Sequence, residues 1–202
     1  MIKPLDIEII CPGHGPIHHK NLNEAIELSE KLALEYIKLT TDREHLNILI
    51  AYVSAYGYTK DAAGYIASGI LENNDLTVEI VDIENITPTE MEAMLVRADG
   101  IILGSPTINQ NTLLQVYNLF ALINPIRDKG KLGGAFGSYG WSGESTKIII
   151  ENFRLLKLKV FEEAAQFKFQ PDGCKKDVLE MWGRKFGKTF IEECGHKKNP
   201  GI

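Results

Sequence analysis

Apolar and polar residues change rhythm several times along this chain. IEII (7–10) reads as a short strand, and CPGHGP (11–16) as a Gly/Pro turn. NLNEAIELSEKLALEYIKL (21–39) sets Leu22, Ile26, Ala33 and Ile37 at helical spacing, and TTDREH (40–45) is a polar linker. From Leu46 onward strand and helix patterns alternate. NILIAYV (47–53) is an unbroken apolar run, as a strand buried on both faces requires. KDAAGYIASGILEN (60–73) is helical, and TVEIVDI (77–83) alternates as a strand nearer a sheet edge does. TPTEMEAMLVRA (87–98) opens with Pro88 and Glu90, a helix-start signature. GIILGS (100–105) is a third buried strand, and NTLLQVYNLFALI (111–123) a helix. KLGGAFGSYG (131–140) is a strand rich in glycine, which predicts a close approach of its backbone to something else. SGESTKIIIENFRLLK (142–157) is a helix, LKVFE and FKF form a fifth, interrupted strand, and KKDVLEMWGRKFGKTFIEE (175–193) closes the chain as a helix.

Five strand–helix alternations predict an α/β fold, with right-handed crossovers and a parallel sheet covered by helices on both faces. In such sheets ligands bind beyond the carboxyl ends of the strands, at a topological switch point. The loops after the first, third and fourth strands therefore matter most.

Composition narrows the function without naming it. The 202 residues carry a net charge of −5 and 24% charged residues, with no dense Lys/Arg tract, so no nucleic-acid surface is expected. No apolar run approaches the ~18 residues of a membrane helix. Cys11, Cys174 and Cys194 are few and far apart, which fits a reducing cytoplasm. MIKPLDIEII does not read as a signal peptide.

The first loop, Ser54-Ala55-Tyr56-Gly57-Tyr58-Thr59, holds hydroxyls and a glycine but no cation. It is neither a Walker loop nor a G-x-G-x-x-G fingerprint. A single phosphate ester held by backbone N–H groups, a helix N-terminus and the Ser54 and Thr59 hydroxyls suits it; an ordinary capped turn is the alternative. In the second loop, GSPTINQN (104–111), Pro106 stiffens the turn, and Thr107, Asn109, Gln110 and Asn111 offer hydrogen-bonding groups that can read the polar edge of a flat heterocycle, or else merely cap a helix. The third, FGSYGWSGE (136–144), flanks Gly140 with Tyr139 and Trp141, and adds Ser138 and Gly143. A planar ring is a natural partner for exposed aromatics, although one of them could pack under a neighbouring loop. Together the three loops describe a site for flavin mononucleotide (FMN).

Residues 46–192 resemble a flavodoxin-like domain, which implies five parallel strands in the order 2-1-3-4-5. CPGHGP, the helical linker, SAYGYTKDAA, GSPTINQN and FGSYGWSGE also occur in this order in flavodiiron (A-type) flavoproteins. Those proteins join a metallo-β-lactamase-like di-iron domain, which reduces oxygen or nitric oxide, to an FMN domain. The resemblance implies a remnant of the first domain and linker helix over 1–45, the FMN domain over 46–192 and a tail over 193–202. It places the phosphate at Ser54, Ala55, Tyr56, Gly57, Tyr58 and Thr59. The ring lies against Pro106, Thr107, Ile108 and Asn109 on one side, and Ser138, Tyr139, Gly140, Trp141 and Gly143 on the other. Tyr58 is bulky for a phosphate loop, and its ring is expected to point outward. His14 matches a family iron ligand, but its co-ligands are absent, so no metal site is assigned. Cys11, His14, His18 and His19 lie close together without matching a known zinc spacing.

No acid–base or nucleophile constellation stands out, so the expected role is FMN-mediated electron transfer. The implied partners are a redox protein such as a rubredoxin, or a di-iron domain, with a homodimer also compatible. The alternatives are a free-standing NAD(P)H-dependent flavin or quinone reductase and a flavin-free interaction module.

Overall fold

The computed structural model describes residues 5–41 and 45–194. The chain divides into two compact units, Met1–Arg43 and Glu44–Ile202. In the first, helix α1 spans Leu22–Thr41. IEII does not form the expected strand. It contributes a single antiparallel bridge, Ile10 to His18, with both backbone hydrogen bonds at 3.0 Å. Thr40 and Thr41, expected in the linker, belong to α1, and residues 42–44 lie outside the described residues.

In the second unit the elements follow as β1 (Leu46–Tyr52), α2 (Tyr58–Ile70), β2 (Leu76–Asp82), α3 (Pro88–Arg97), β3 (Gly100–Gly104), α4 (Leu114–Leu122), β4 (Leu132–Tyr139), α5 (Glu144–Leu155), β5 (Lys159–Val160), β6 (Ala165–Lys168) and α6 (Cys174–Cys194). The sheet is parallel, in the order β2-β1-β3-β4-β5, and β6 also pairs with β4. Ile50 stands beside Ile80 on one side and Ile102 on the other. This is the doubly wound flavodoxin-like arrangement.

Alternation along β1 divides the core between the two faces. Ile48 and Ile50 join Ile66 of α2 and Trp182, Phe186 and Phe190 of α6. Leu49 and Ala51 join Leu95 of α3, Leu119 of α4 and Phe153 of α5. Helices α2 and α6 cross with backbones almost touching. A Cβ on Gly69 would stand 2.0 Å from Glu180 O, and one on Gly183 would stand 2.2 Å from Ile66 O. The glycines of β4 meet aromatic rings. Cβ atoms on Gly133 and Gly134 would stand 2.6 Å from the Phe153 ring and 2.8 Å from the Phe186 ring. That is the close approach the glycine-rich strand implied.

The fifth strand is interrupted, as expected, and both pieces run along β4. Leu132 pairs with Lys159, and after the break Phe136 pairs with Ala165. The residues of the break pack against α6. Phe161 turns its ring edge-on to Trp182, 5.4 Å away, while the Glu163 carbonyl accepts the Trp182 indole N–H at 2.6 Å. At the start of α3, Thr87 and Glu90 form a reciprocal capping box, as the sequence signature implied. Before β4, the fully buried Asp128 carboxylate lies 2.8 Å from both Arg127 Nη2 and Lys131 Nζ. Burial pushes the Asp128 pKa upward, but hydrogen bonds from Arg127 and Lys131 outweigh it and hold the carboxyl below its ordinary value.

Candidate functional site

The parallel register brings the carboxyl ends of β1, β3 and β4 side by side, which sets the loops 54–59, 104–111 and 136–144 at one end of the sheet. Beyond β1 the chain turns sharply at Gly57, whose φ of 84° is left-handed, and α2 starts at once. The helix therefore begins at Tyr58, two residues earlier than the apolar spacing implied. Its first turn has N–H groups with no carbonyl of their own, the usual basis of an anion site. Lys60 N–H reaches Ser54 Oγ at 3.4 Å, and Asp61 N–H reaches Gly57 O at 2.9 Å.

Side chains in this loop face different ways. Ala55 is exposed and Tyr56 is 81% exposed. Tyr58 does not point outward. Its ring is half-buried against the cluster shared by β1, α2 and α6, because as the first helical residue it rides on the core-facing side. Thr59 is only 1% exposed, and its hydroxyl lies 3.3 Å from that of Ser138 at the end of β4. Tyr52 closes β1 nearby. Burial, then the carboxylates of Asp82 and Asp61, push its phenol pKa upward.

The second loop is tied to the third. Ser105 N–H and Thr107 N–H continue the ladder to Phe136 O and Ser138 O, at 3.2 and 2.8 Å. Thr107 Oγ1 donates to Ser145 Oγ at 2.9 Å, Ser145 N–H donates back to Thr107 Oγ1 at 3.2 Å, and Ser145 Oγ donates to Ser105 O at 3.0 Å. Gly137 makes this approach possible, since a Cβ there would stand 2.4 Å from Ser105 O. Pro106 is buried. Residues Ile108 to Asn111 form a tight turn with mutual backbone bonds of 3.1 and 3.0 Å, and Asn109 and Gln110 both take positive φ. This turn keeps Asn111 out of α4, which starts at Leu114 rather than at the expected Asn111. Asn111 Oδ1 accepts from Tyr117 OH at 2.7 Å, so that oxygen serves the local fold.

In the third loop Tyr139 is half-buried and Trp141 is 97% exposed. Gly140 adjoins the Phe169 ring, and Gly143 O accepts from Gln166 Nε2 at 2.7 Å. Tyr56, Ile108 and Trp141 are thus exposed apolar groups contributed by three different loops. A groove of about 500 Å³ between β6 and α6 has Tyr139 in its lining and none of the other candidate residues.

The residues present fit a flavin nucleotide. The α2 N-terminus carries amide donors for a phosphate, and exposed aromatics offer faces to a planar ring. Among the described residues, two buried side-chain oxygens have no hydrogen-bond partner, Thr112 Oγ1 and Glu144 Oε2. Both follow the carboxyl ends of strands β3 and β4, where a ligand with N–H and O–H groups could pair with them. Neither residue was singled out from the sequence, because burial and lack of a partner are three-dimensional properties. Among the described residues, no group of three or more His, Cys, Asp or Glu side chains is placed to hold a metal ion. No described helix is long and apolar enough to cross a membrane.

Comparison with known proteins agrees with this fold. The flavodoxin family profile matches residues 50–182. The type A flavoprotein fprA of Rhodobacter capsulatus is 34% identical over 200 residues, covering 99% of this chain and 45% of that protein. The flavo-diiron protein FprA2 of Clostridium acetobutylicum is 34% identical over 193 residues, covering 95% of this chain and 46% of that protein. The solved rubredoxin oxygen:oxidoreductase of Desulfovibrio gigas superposes with a TM-score of 0.71 at 25% identity, over 92% of this chain and 45% of that one. The chain thus spans somewhat less than half the length of these relatives. It belongs to the flavodoxin family, which implies FMN as its cofactor, and it resembles the flavodoxin-like part of flavodiiron proteins.

Proposed function

We propose that this chain binds one FMN non-covalently and works as an electron-transfer domain of the flavodiiron type. One observation carries the reading: hydrogen bonds between Thr59 and Ser138, and between Thr107 and Ser145, join the three strand-end loops into one surface. Bound FMN supplies one- and two-electron redox chemistry. The phosphate is assigned to Ser54, Ala55, Tyr56, Gly57, Tyr58 and Thr59, whose amide dipoles meet its charge without a cationic side chain. The ring is assigned to Pro106, Thr107, Ile108 and Asn109, with Ser138, Tyr139, Gly140, Trp141 and Gly143 opposite. The same reading assigns 46–192 to the FMN domain, 1–45 to a remnant and linker, and 193–202 to a tail.

The exposed surface around Ile108 and Trp141 is the proposed docking face for a partner. Its chemistry suits a di-iron domain or a small redox protein of the rubredoxin kind, in the cytoplasm, with a homodimer as a further arrangement. Charges at its rim would govern association rate and salt dependence more than affinity. The same openness around Trp141 leaves room for a stacked nicotinamide, which supports the reductase as a second reading.

Stopped-flow mixing separates the two. Chemically reduced holoprotein should be reoxidised quickly by an added redox acceptor, with little consumption of nitric oxide. Rapid multiple-turnover oxidation of NAD(P)H with a quinone would favour the reductase, and catalytic nitric oxide turnover by this chain alone would overturn the carrier reading.

A further inference from the structure

We propose that Glu144 is a flavin ligand, its buried Oε2 accepting a hydrogen bond from an N–H or O–H group of the bound nucleotide. The assignment rests on the FMN reading of the site.

A buried side-chain oxygen without a partner is costly, and folded proteins seldom leave one unanswered. Glu144 Oε2 is one of only two such atoms among the described residues. Its position is fixed from both sides. On one side Gly143 O accepts the Gln166 amide at 2.7 Å. On the other, Ser145 N–H is bonded to Thr107 Oγ1 and Ser145 Oγ to Ser105 O. Glu144 is the first residue of α5 and follows directly on Trp141, Ser142 and Gly143, so it ends one loop assigned to the ring and adjoins Ser145, which is bonded to the other. Supporting bonds of this kind hold a polar group in place before the ligand arrives.

The chemistry of the nucleotide limits what the carboxyl group can meet. A phosphate is an anionic acceptor and would be repelled. The remaining donors are the ring N3–H, on the pyrimidine edge, and the hydroxyls of the ribityl chain. Either supplies the hydrogen that Oε2 lacks.

The competing explanation is structural. An acidic residue in the first turn also stabilises a helix through its dipole, whether or not a ligand is bound. The two roles differ in what a substitution changes. The full 202-residue chain, as wild type, Glu144→Leu and Glu144→Gln, is titrated with FMN, riboflavin and lumiflavin, and each apoprotein is melted. A ligand role predicts FMN binding weakened about tenfold or more by Glu144→Leu, with the apoprotein melting temperature unchanged or raised. Glu144→Gln keeps a carbonyl oxygen and should bind within about threefold of wild type. Equal weakening for lumiflavin, which lacks the ribityl chain, identifies the ring N–H as the donor. Weakening confined to FMN and riboflavin identifies a ribityl hydroxyl. A Glu144→Leu variant that binds FMN like wild type overturns the assignment, whether or not its apoprotein melts earlier. If the leucine variant does not fold, Glu144→Ala, which adds no bulk, carries the same comparison. A wild-type chain that takes up no FMN would instead overturn the cofactor reading on which the assignment rests.

Discussion

The hydroxyls of Thr59 and Ser138 lie 3.3 Å apart, both buried, and join the first turn of α2 to the carboxyl end of β4. The loop proposed for the phosphate and the loop proposed for the ring are therefore one hydrogen-bonded assembly. Thr59→Ala removes one hydroxyl from it. FMN should bind about tenfold more weakly, and riboflavin should be affected less, since it has no phosphate. Thr59→Ser, which keeps the hydroxyl, should stay close to wild type. Fluorescence titration with both flavins checks this, and equal losses for the two flavins would show that Thr59 serves the fold and not the phosphate.

Trp141 is almost wholly exposed, so its replacement touches little in the apoprotein. Trp141→Leu should leave the melting transition of the apoprotein within about 0.5 kcal/mol of wild type. The same change should reduce quenching of flavin fluorescence and shift the reduction potential, because stacking and exclusion of water both act on the ring. Tyr139→Leu is the companion variant, being half-buried on the same loop. If neither variant alters fluorescence or potential, the aromatic loop does not meet the ring.

Gly137 admits no side chain without movement, since a Cβ there would meet Ser105 O at 2.4 Å and Ser145 Oγ at 2.9 Å. Gly137→Ala should destabilise the domain by about 1–3 kcal/mol and separate loops 104–111 and 136–144. Denaturant unfolding gives the first quantity. Flavin affinity gives the second and should fall as well.

Far from the site, Asp128 tests the fold itself. Its carboxyl is fully buried between Arg127 and Lys131, and its pKa is depressed in the folded protein. Asp128→Ala should cost about 3–5 kcal/mol near pH 7, because it removes the buried carboxylate that Arg127 and Lys131 share. A depressed folded-state pKa means that the carboxylate's contribution is present above the unfolded value of about 3.9. That contribution is lost as pH falls through the folded-state pKa. The stability gap between wild type and variant should therefore narrow when unfolding is measured at pH 3 instead of pH 7.

Much of this organisation was legible in the sequence because it follows from periodicity. The run 47–53 is buried on both faces as read, and β2 lies at the sheet edge as its alternation implied. The reading failed where tertiary contacts overrule local pattern. IEII has strand character but meets only one bridging partner. Asn109 and Gln110 close a turn of positive φ that delays α4, although the flanking residues look helical. Tyr58 packs inward because α2 starts directly after Gly57, and neither fact can be read from the residue alone. The same holds for the site. Loop positions could be inferred from strand ends, whereas the Thr107–Ser145 pairing and the unpaired Glu144 oxygen require residues far apart in sequence to meet.

His14 is exposed in the first unit, and among the described residues no group of three or more His, Cys, Asp or Glu side chains is placed to hold a metal ion. The purified chain should contain far less than one iron per molecule, because one imidazole does not hold iron by itself. Elemental analysis decides this, and stoichiometric iron would mean that a partner chain or a second copy supplies ligands.

The most direct test of the central claim is the flavin content of the chain itself. Apoprotein is titrated with FMN and with FAD, bound flavin is released by heat, and the supernatant is separated by chromatography. The account predicts saturation at one FMN per chain, quenched flavin fluorescence and a clear preference for FMN over FAD. Failure to take up FMN, or a preference for FAD, would contradict it.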